Sequence, residues 1–163
     1  MLFDGGDYLD NAVAYNSFPL TILGVAKQSG VVGTPRGLVS LHSSVTFGTR
    51  VSLTTGNQIS GLIATPSSSR IVPGSVAANG AFVFGARFSG IDLTAQLNRD
   101  FSSSSAHAAG AVANNIDIGR LNVNSTANLM NGYICEILIY NSALTPGQME
   151  RVANYLNTKW GVY

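Results

Sequence analysis

Charged side chains are scarce in this sequence. Lysine, arginine, aspartate and glutamate make up 10% of its 163 residues, against roughly 25% in an ordinary soluble domain. The nine basic residues are scattered from Lys27 to Lys159, and the formal net charge is +1. Without a basic cluster there is no electrostatic footprint for a phosphate backbone, so no nucleic-acid partner is expected. The surface is instead expected to interact through hydroxyls, amides and backbone groups.

Cysteine and long apolar runs are also lacking. Cys135 is the single cysteine, which excludes an internal disulfide and a cysteine-built metal site. No apolar run approaches the roughly 20 residues of a membrane-spanning helix, so membrane insertion is not expected. The opening residues, Met1 to Asp7, are acidic and contain glycine, unlike a secretion signal. We therefore expect either a protein used without Sec export or a domain of a longer chain.

The common sequence signatures of catalysis are absent. No two glycines flank a single residue, no serine lies midway between two glycines four residues apart, and there is no Gly-Lys pair. This excludes the Gly-x-Gly-x-x-Gly and Gly-x-Ser-x-Gly motifs and the phosphate-binding loop. His42 and His107 lie far apart and have no patterned acidic or cysteine neighbours. We interpret both as ordinary surface or loop histidines, and we predict that the protein is not an enzyme.

Short strand signals separated by turn residues make up most of the chain. Several of them alternate with the period of two of a half-buried sheet, as in Phe82 to Phe88. The predicted strands are Phe18 to Ala26, Gly37 to Leu41, Thr46 to Leu53, Gln58 to Thr65, Ala81 to Phe88, Ile91 to Leu97, Ile116 to Leu121 and Tyr133 to Tyr140. Because a chain of this size buries one good-sized core, a single all-β domain over residues 1–163 is predicted.

One helix is predicted near the end of the chain. Thr145 suits the N-cap, Gln148 completes a Thr-x-x-Gln capping box, and Gly161 provides the stop. The apolar stripe of one helix face is Met149, Val152, Ala153 and Leu156. A helix of this length is not stable alone, so it must pack on the sheets. Tyr155 and Trp160 are its expected anchors.

The connections between the strands are polar. Pro66 to Arg70 is one such connection, and the longest is the serine-rich Asp100 to Gly110. If one segment contacts a partner, this longest loop is the first choice. The alternative is a solvated surface excursion without a role.

A set of segments at both ends of the chain carries a family pattern. They are Phe3-Asp-Gly-Gly-Asp-Tyr8-Leu9, Gly119-Arg120, Asn131-Gly-Tyr-Ile-Cys-Glu136-Ile-Leu-Ile-Tyr140-Asn, Ala143-Leu144-Thr145 and Tyr155-Leu-Asn-Thr-Lys-Trp160-Gly. Together they resemble the concanavalin A-like lectin/glucanase superfamily, and within it the laminin G-like domains of bacteriophage structural proteins and bacterial surface proteins. The resemblance implies a two-sheet antiparallel jelly-roll sandwich with the C-terminal helix packed outside.

Glu136 is the one charged residue in an apolar strand. Strict alternation puts Tyr133, Cys135, Ile137 and Ile139 on one face and Ile134, Glu136, Leu138 and Tyr140 on the other. A carboxylate in such surroundings needs hydrogen-bond donors or a cation. We expect Glu136 to tie down a neighbouring loop or arginine, with a catalytic role as the alternative. The predicted structural anchors are Glu136, Tyr140, Thr145, Leu156 and Trp160.

Glucan-cleaving relatives carry two glutamates and an aspartate close together on one strand, since retaining hydrolysis needs two carboxyl groups about 5 Å apart. This chain has two glutamates, Glu136 on a strand and Glu150 on the helix, and no such cluster. That hydrolase mechanism is therefore not expected. No cofactor is expected either, with the exception of calcium.

Calcium is the metal that the sequence leaves open. Asp4, Asp7 and Asp10 are spaced at three, and Gly5, Gly6 and Asn11 add carbonyl or amide oxygens, which calcium accepts as ligands. In an extended strand, however, residues three apart face opposite sides. The alternative is that these aspartates form turns.

The superfamily resemblance implies glycan recognition through aromatic stacking and through amide or carboxylate hydrogen bonds. Candidate glycan or partner contacts are Tyr15, His42, Arg87, Asn98, Arg99, His107 and Asn122. No motif selects among them, and each of them fits an ordinary surface residue as well.

The resulting first hypothesis is a non-enzymatic bacteriophage virion protein: a capsid decoration, head fibre or tail component. Its expected partners are other virion proteins, further copies of itself and cell-surface polysaccharide. The second hypothesis is a carbohydrate-binding, lectin-like module of a bacterial surface or secreted protein, located outside the cell. A glycoside hydrolase is the third.

Overall fold

We describe the fold from a computed structural model, which defines residues 1–12, 19–30, 33–42, 47–63, 68–105, 115–121 and 128–163. In these ranges, twelve strands precede one helix. The elements are β1 (Leu2–Asp4), β2 (Leu9–Asn11), β3 (Leu20–Gln28), β4 (Arg36–His42), β5 (Phe47–Leu53), β6 (Ile59–Ile63), β7 (Ser68–Ile71), β8 (Ala81–Phe88), β9 (Asp92–Leu97), β10 (Asp100–Ser105), β11 (Asn115–Ile118), β12 (Asn131–Tyr140) and α1 (Pro146–Trp160).

The strands form two antiparallel sheets. Sheet A has the order β1-β12-β3-β8-β9-β10, and sheet B has the order β2-β11-β4-β5-β6-β7. In each sheet a strand from the last third of the chain lies between two strands from its first third. The prediction of a two-sheet antiparallel jelly-roll sandwich is confirmed.

The main core lies between the two sheets. Sheet A contributes the buried side chains of Ile22, Phe82, Phe84 and Phe88, and sheet B contributes Val39, Leu41, Val51 and Ile59. These positions alternate with outward-facing ones, as the period of a strand requires. Full burial of rings as large as phenylalanine supplies much of the hydrophobic stabilisation of the sandwich.

A second core lies between the outer face of sheet A and α1. The helix contributes Met149, Ala153 and Leu156 to it, and the strands contribute Leu23, Val25 and Val83. Sheet A is therefore covered on both faces, by sheet B on one side and by the helix on the other. In the described part of the chain, no helix is long and apolar enough to cross a membrane.

The predicted helix is confirmed, but its anchoring is not as expected. The Thr145 side chain accepts from the backbone N–H of Gln148, the Gln148 side chain accepts from the N–H of Thr145, and Gly161 ends the helix with φ 62°. Tyr155 and Trp160 are 51% and 42% exposed, so neither ring is buried against the sheet, although the indole N–H of Trp160 donates to Glu136 of β12. The buried contacts come from the smaller apolar residues of the stripe, whose spacing keeps them on the sheet side.

Strict alternation along β12 is also wrong, because a β-bulge shifts the register between Ile134 and Glu136. Ile134 therefore packs in the main core together with Ile137 and Ile139. Cys135 packs with the helix instead, on the side of Leu138 and Tyr140. One extra residue in the bulged strand is enough to exchange the faces.

Two segments interpreted as loops contain strands. Ser68–Ile71 forms β7, and Asp100–Ser105 forms the edge strand β10, which pairs with β9 from Asp100 opposite Leu97 onward. The turn between β9 and β10 is Asn98-Arg99, and Asn98 has φ 53°, as a tight two-residue hairpin turn favours. Residues 106–114 lie outside the described residues.

Candidate functional site

The outer face of sheet B carries a polar cluster. Along β11, Ile116 and Ile118 pack toward the main core, so Asp117 between them faces outward. The strand pairing sets Asp117 opposite Asp10 on one side and opposite Ser40 on the other. Since α1 covers sheet A, this is the sheet face that no helix covers in the described residues.

Asp117 is the centre of the cluster. Its side chain is 0% exposed, and its Oδ2 atom accepts from Nε of Arg120 at 2.9 Å and from Nη2 at 2.8 Å. Nε2 of His42 lies 2.8 Å from the same oxygen. The other oxygen, Oδ1, is buried and has no hydrogen-bond partner among the described residues. A buried acceptor without a donor costs free energy, commonly about 1–3 kcal/mol.

Arg120 owes its position to a bend directly after β11. Gly119 has φ +85°, and a Cβ there would lie 2.6 Å from the ring of Phe3, so the bend requires glycine. The bend brings Arg120, which is 7% exposed, beside Asp117. The ring of Tyr8 lies 3.7 Å from the Arg120 guanidinium carbon, a cation–π contact. One edge and one face of the guanidinium are therefore occupied, while Nη1 makes no hydrogen bond with the described residues.

His42 ends β4 and is only 3% exposed. The interpretation of His42 as a surface or loop histidine is therefore wrong. Its acidic neighbour, Asp117, lies 75 residues later in the chain. Strand pairing of Asn115 with His42 brings the two segments together.

A cavity of about 420 Å³ opens at this cluster. Its lining residues are Asp10, Asn11, Ala12, His42, Asn115, Asp117 and Arg120. The cavity offers carboxylate acceptors, guanidinium donors and amides, which both donate and accept. Such a set recognises hydroxyl groups, each of which also donates and accepts.

Few of the site residues that the sequence predicted line the cavity. His42 and Asp10 line it. Tyr15, His107 and Asn122 lie outside the described residues. Asp117, Arg120, Tyr8 and Asn115 were missed as site residues. The sequence did contain one signal for this site, because Asp117 is a charged residue between two apolar residues of a predicted strand.

Three other candidates lie on sheet A. Nη2 of Arg87 is 3.1 Å from Oδ2 of Asp92. Asn98 accepts from the N–H of Val83 at 2.9 Å, so its side chain has a structural contact. Arg99 lies over the Tyr163 ring at 5.1 Å.

The three aspartates considered for calcium do not converge. Asp4 belongs to β1 in sheet A, and Asp10 belongs to β2 in sheet B. Oδ1 of Asp4 accepts from the N–H of Gly6 at 2.8 Å, which is a turn interaction. The described residues contain no group of three or more histidine, cysteine, aspartate or glutamate side chains that could hold a metal ion.

Glu136 belongs to a separate cluster at the end of α1. Its Oε2 atom accepts from the indole N–H of Trp160 at 2.7 Å, and Nζ of Lys159 lies 2.9 Å away. These donors lower the pKa of Glu136, the Trp160 hydrogen bond contributing most. The same contact raises the pKa of Lys159, whose Nζ also donates to the Tyr155 hydroxyl at 3.2 Å. Glu136 therefore fastens the last helical turn to β12.

The fold is shared with several solved structures. A pentraxin from Limulus polyphemus matches with a TM-score of 0.76 and 12% identity over 93% of this chain and 80% of that one. The CBM40 of a Ruminococcus gnavus IT-sialidase matches with a TM-score of 0.77 and 11% identity, over 94% of this chain and 95% of that one. The Trypanosoma rangeli sialidase matches with a TM-score of 0.66 and 11% identity, over 88% of this chain but 23% of its own.

These likenesses, at 11–12% identity, show that the chain shares the two-sheet jelly-roll fold of these proteins. The R. gnavus module has also been solved bound to α2,3-sialyllactose. No family model and no curated protein sequence matches the chain.

Proposed function

We propose that this chain is a non-enzymatic carbohydrate-binding module and that the cavity around Asp117 is its binding site. The observation that carries the proposal is the polar lining of the cavity, where Asp10, Asn115 and Arg120 meet. Beneath them the buried Asp117 holds Arg120 and His42 through Oδ2. The lining thus offers an acceptor, an amide and a fixed donor to the hydroxyl groups of a ligand.

The chemistry of this lining suits a polyol. A first hydroxyl donates to the exposed carboxylate of Asp10, and a neighbouring hydroxyl accepts from Nη1 of Arg120. The amides of Asn11 and Asn115, at the same cavity, serve either role. Because Asp117 and Tyr8 fix Arg120 in place, little side-chain entropy is lost on binding.

The solved relatives support this reading at the level of the fold. The R. gnavus module is known with α2,3-sialyllactose bound, and the match spans nearly the whole of that module. The virion role inferred from the C-terminal pattern stays a prediction, because none of the structures named above is a virion protein. A glycan-binding module acts where glycans are displayed, at a cell surface or on a particle that contacts one.

A glycan array followed by isothermal titration calorimetry tests the proposal. Asn115→Ala removes one amide from the cavity and should weaken binding of the best saccharide about fivefold to tenfold, the equivalent of a hydrogen bond of about 1 kcal/mol. Arg99→Ala, in the β9–β10 turn of the other sheet, is the matched control and should leave affinity unchanged. Circular dichroism confirms that both variants are folded.

Two outcomes contradict the proposal. The first is the absence of saccharide binding across the array, or binding that Asn115→Ala and Asp117→Asn both leave intact. The second is cleavage of a bound oligosaccharide into shorter products, which would mean that the protein is an enzyme and that the cavity carboxylates act as a catalytic pair.

A further inference from the structure

Carboxylates outnumber cations at the cavity. Asp10 and Asp117 both line it, while Arg120 is its one arginine among the described residues. The charge of Arg120 is already engaged, since its Nε and Nη2 atoms contact Oδ2 of Asp117. With His42 counted as neutral, the cavity carries a formal charge of −1 (two carboxylates, one guanidinium).

The two carboxylates lie on one face of the sheet. Asp10 and Asp117 are directly opposite each other in the antiparallel pair of β2 and β11, a position in which Cβ atoms are about 5 Å apart. Like charges in this arrangement repel each other. A positively charged group bound to the exposed Asp10 would be attracted by both carboxylates.

The N-terminal part of the chain brings no lysine or arginine to the cavity. Residues 1–26 contain neither residue type, and Asp10 and Asn11 of this segment line the cavity. Arg50 faces the same side of sheet B but lies two strands from Asp117, beyond Ser40, at a separation of about 10 Å.

From this arrangement we infer that the cavity selects an amino sugar with a free, protonated amine over an acidic sugar. The inference rests on the proposed function and specifies its ligand class. The ammonium group donates to the exposed carboxylate of Asp10, opposite the buried Asp117, and an adjacent hydroxyl accepts from Nη1 of Arg120. The carboxylate of an acidic sugar would instead meet two carboxylates and a guanidinium that is already paired.

Calorimetry with matched saccharides tests this selectivity. A glucosamine trisaccharide, its N-acetylated counterpart, a trigalacturonate and α2,3-sialyllactose are compared at low ionic strength, at a pH that keeps the amine protonated. The free amine should bind about tenfold more tightly than the N-acetyl form, because charge-assisted hydrogen bonds are roughly twice as strong as neutral ones. The two acidic sugars should bind most weakly, and added salt should reduce the preference for the amine.

Asp10→Asn is the decisive variant, because Asp10 is exposed and its replacement keeps the side-chain shape. It should lower affinity for the free amine far more than affinity for the N-acetylated sugar, so that the two sugars bind alike. Asp92→Asn, on sheet A, is the charge-matched control and should keep the preference. The titrations are repeated with a chelator, since binding that depends on calcium would overturn the inference.

The remaining outcomes separate this inference from the proposed function. Acidic sugars that bind as tightly as the amine, or a preference that survives Asp10→Asn, would overturn the selectivity alone. If no saccharide binds, both the proposed function and the proposed selectivity are wrong.

Discussion

Replacing Asp117 with alanine should destabilise the protein by about 3–5 kcal/mol. The substitution leaves Arg120, which is 7% exposed, without the oxygen that both Nε and Nη2 contact. Removing one partner of a buried ion pair costs this much because the other charge stays buried and unpaired. The loss of the His42 contact adds to the effect.

The chain provides its own control for this experiment. Arg87 and Asp92 form a second Arg–Asp pair, with side chains 17% and 28% exposed. Asp92→Ala should cost roughly 1 kcal/mol or less, because solvent screens such a pair. Urea denaturation measures both losses, provided that the dependence of the free energy of unfolding on urea concentration is the same in the variants and the unmodified protein.

A double-mutant cycle separates the ion pair from other effects of the substitution. With Arg120→Met added to Asp117→Ala, the combined loss should fall at least about 1 kcal/mol short of the sum of the single losses. Losses that simply add, or a loss below about 1 kcal/mol for Asp117→Ala alone, would refute the reasoning that Asp117 neutralises Arg120 inside the fold.

Three further predictions concern the helix and the bend after β11. Leu156→Ala should destabilise by about 2–5 kcal/mol in urea titration, since Leu156 is fully buried under α1, whereas Tyr155→Ala should cost less than about 1 kcal/mol. Folding lowers the pKa of Glu136, so its contribution to the free energy of unfolding is complete above the unfolded-state pKa and is lost as the pH falls through the folded-state pKa. Glu136→Gln should therefore make the free energy of unfolding depend less on pH below pH 4.5. Gly119→Ala should cost more than about 2 kcal/mol in thermal unfolding, since it combines φ +85° with a clash against Phe3; an unchanged midpoint would mean that the bend tolerates a side chain.

Local rules predicted an all-β domain and the helix, because both rest on short-range patterns, whereas the two-sheet sandwich was implied by the family resemblance. The stripe from Met149 to Leu156 and the capping residue Thr145 are readable from neighbours in the sequence. The period of two failed in β12, where the bulge after Ile134 inverts the pattern. A bulge is set by strand pairing with β3, which lies more than a hundred residues earlier, so the residues of β12 alone do not show it.

The site was less predictable than the fold, for a related reason. His42 and Asp117 meet because β4 and β11 are neighbours in sheet B, and Tyr8 reaches Arg120 because β2 lies on the other side of β11. The sequence neighbours of these residues give no sign of the contacts. The serine-rich β10 was missed because serine has little preference for strands, and its pairing with β9 depends on the turn at Asn98.

The order of strands also decides when this protein is able to fold. β12 lies between β1 and β3, and β11 lies between β2 and β4, so neither sheet is continuous until the last third of the polypeptide has left the ribosome. The early strands must wait for partners more than seventy residues downstream, as with His42 and Asp117. Such a topology delays assembly until synthesis is nearly finished, and it places refolding in the millisecond-to-second range of proteins dominated by distant contacts.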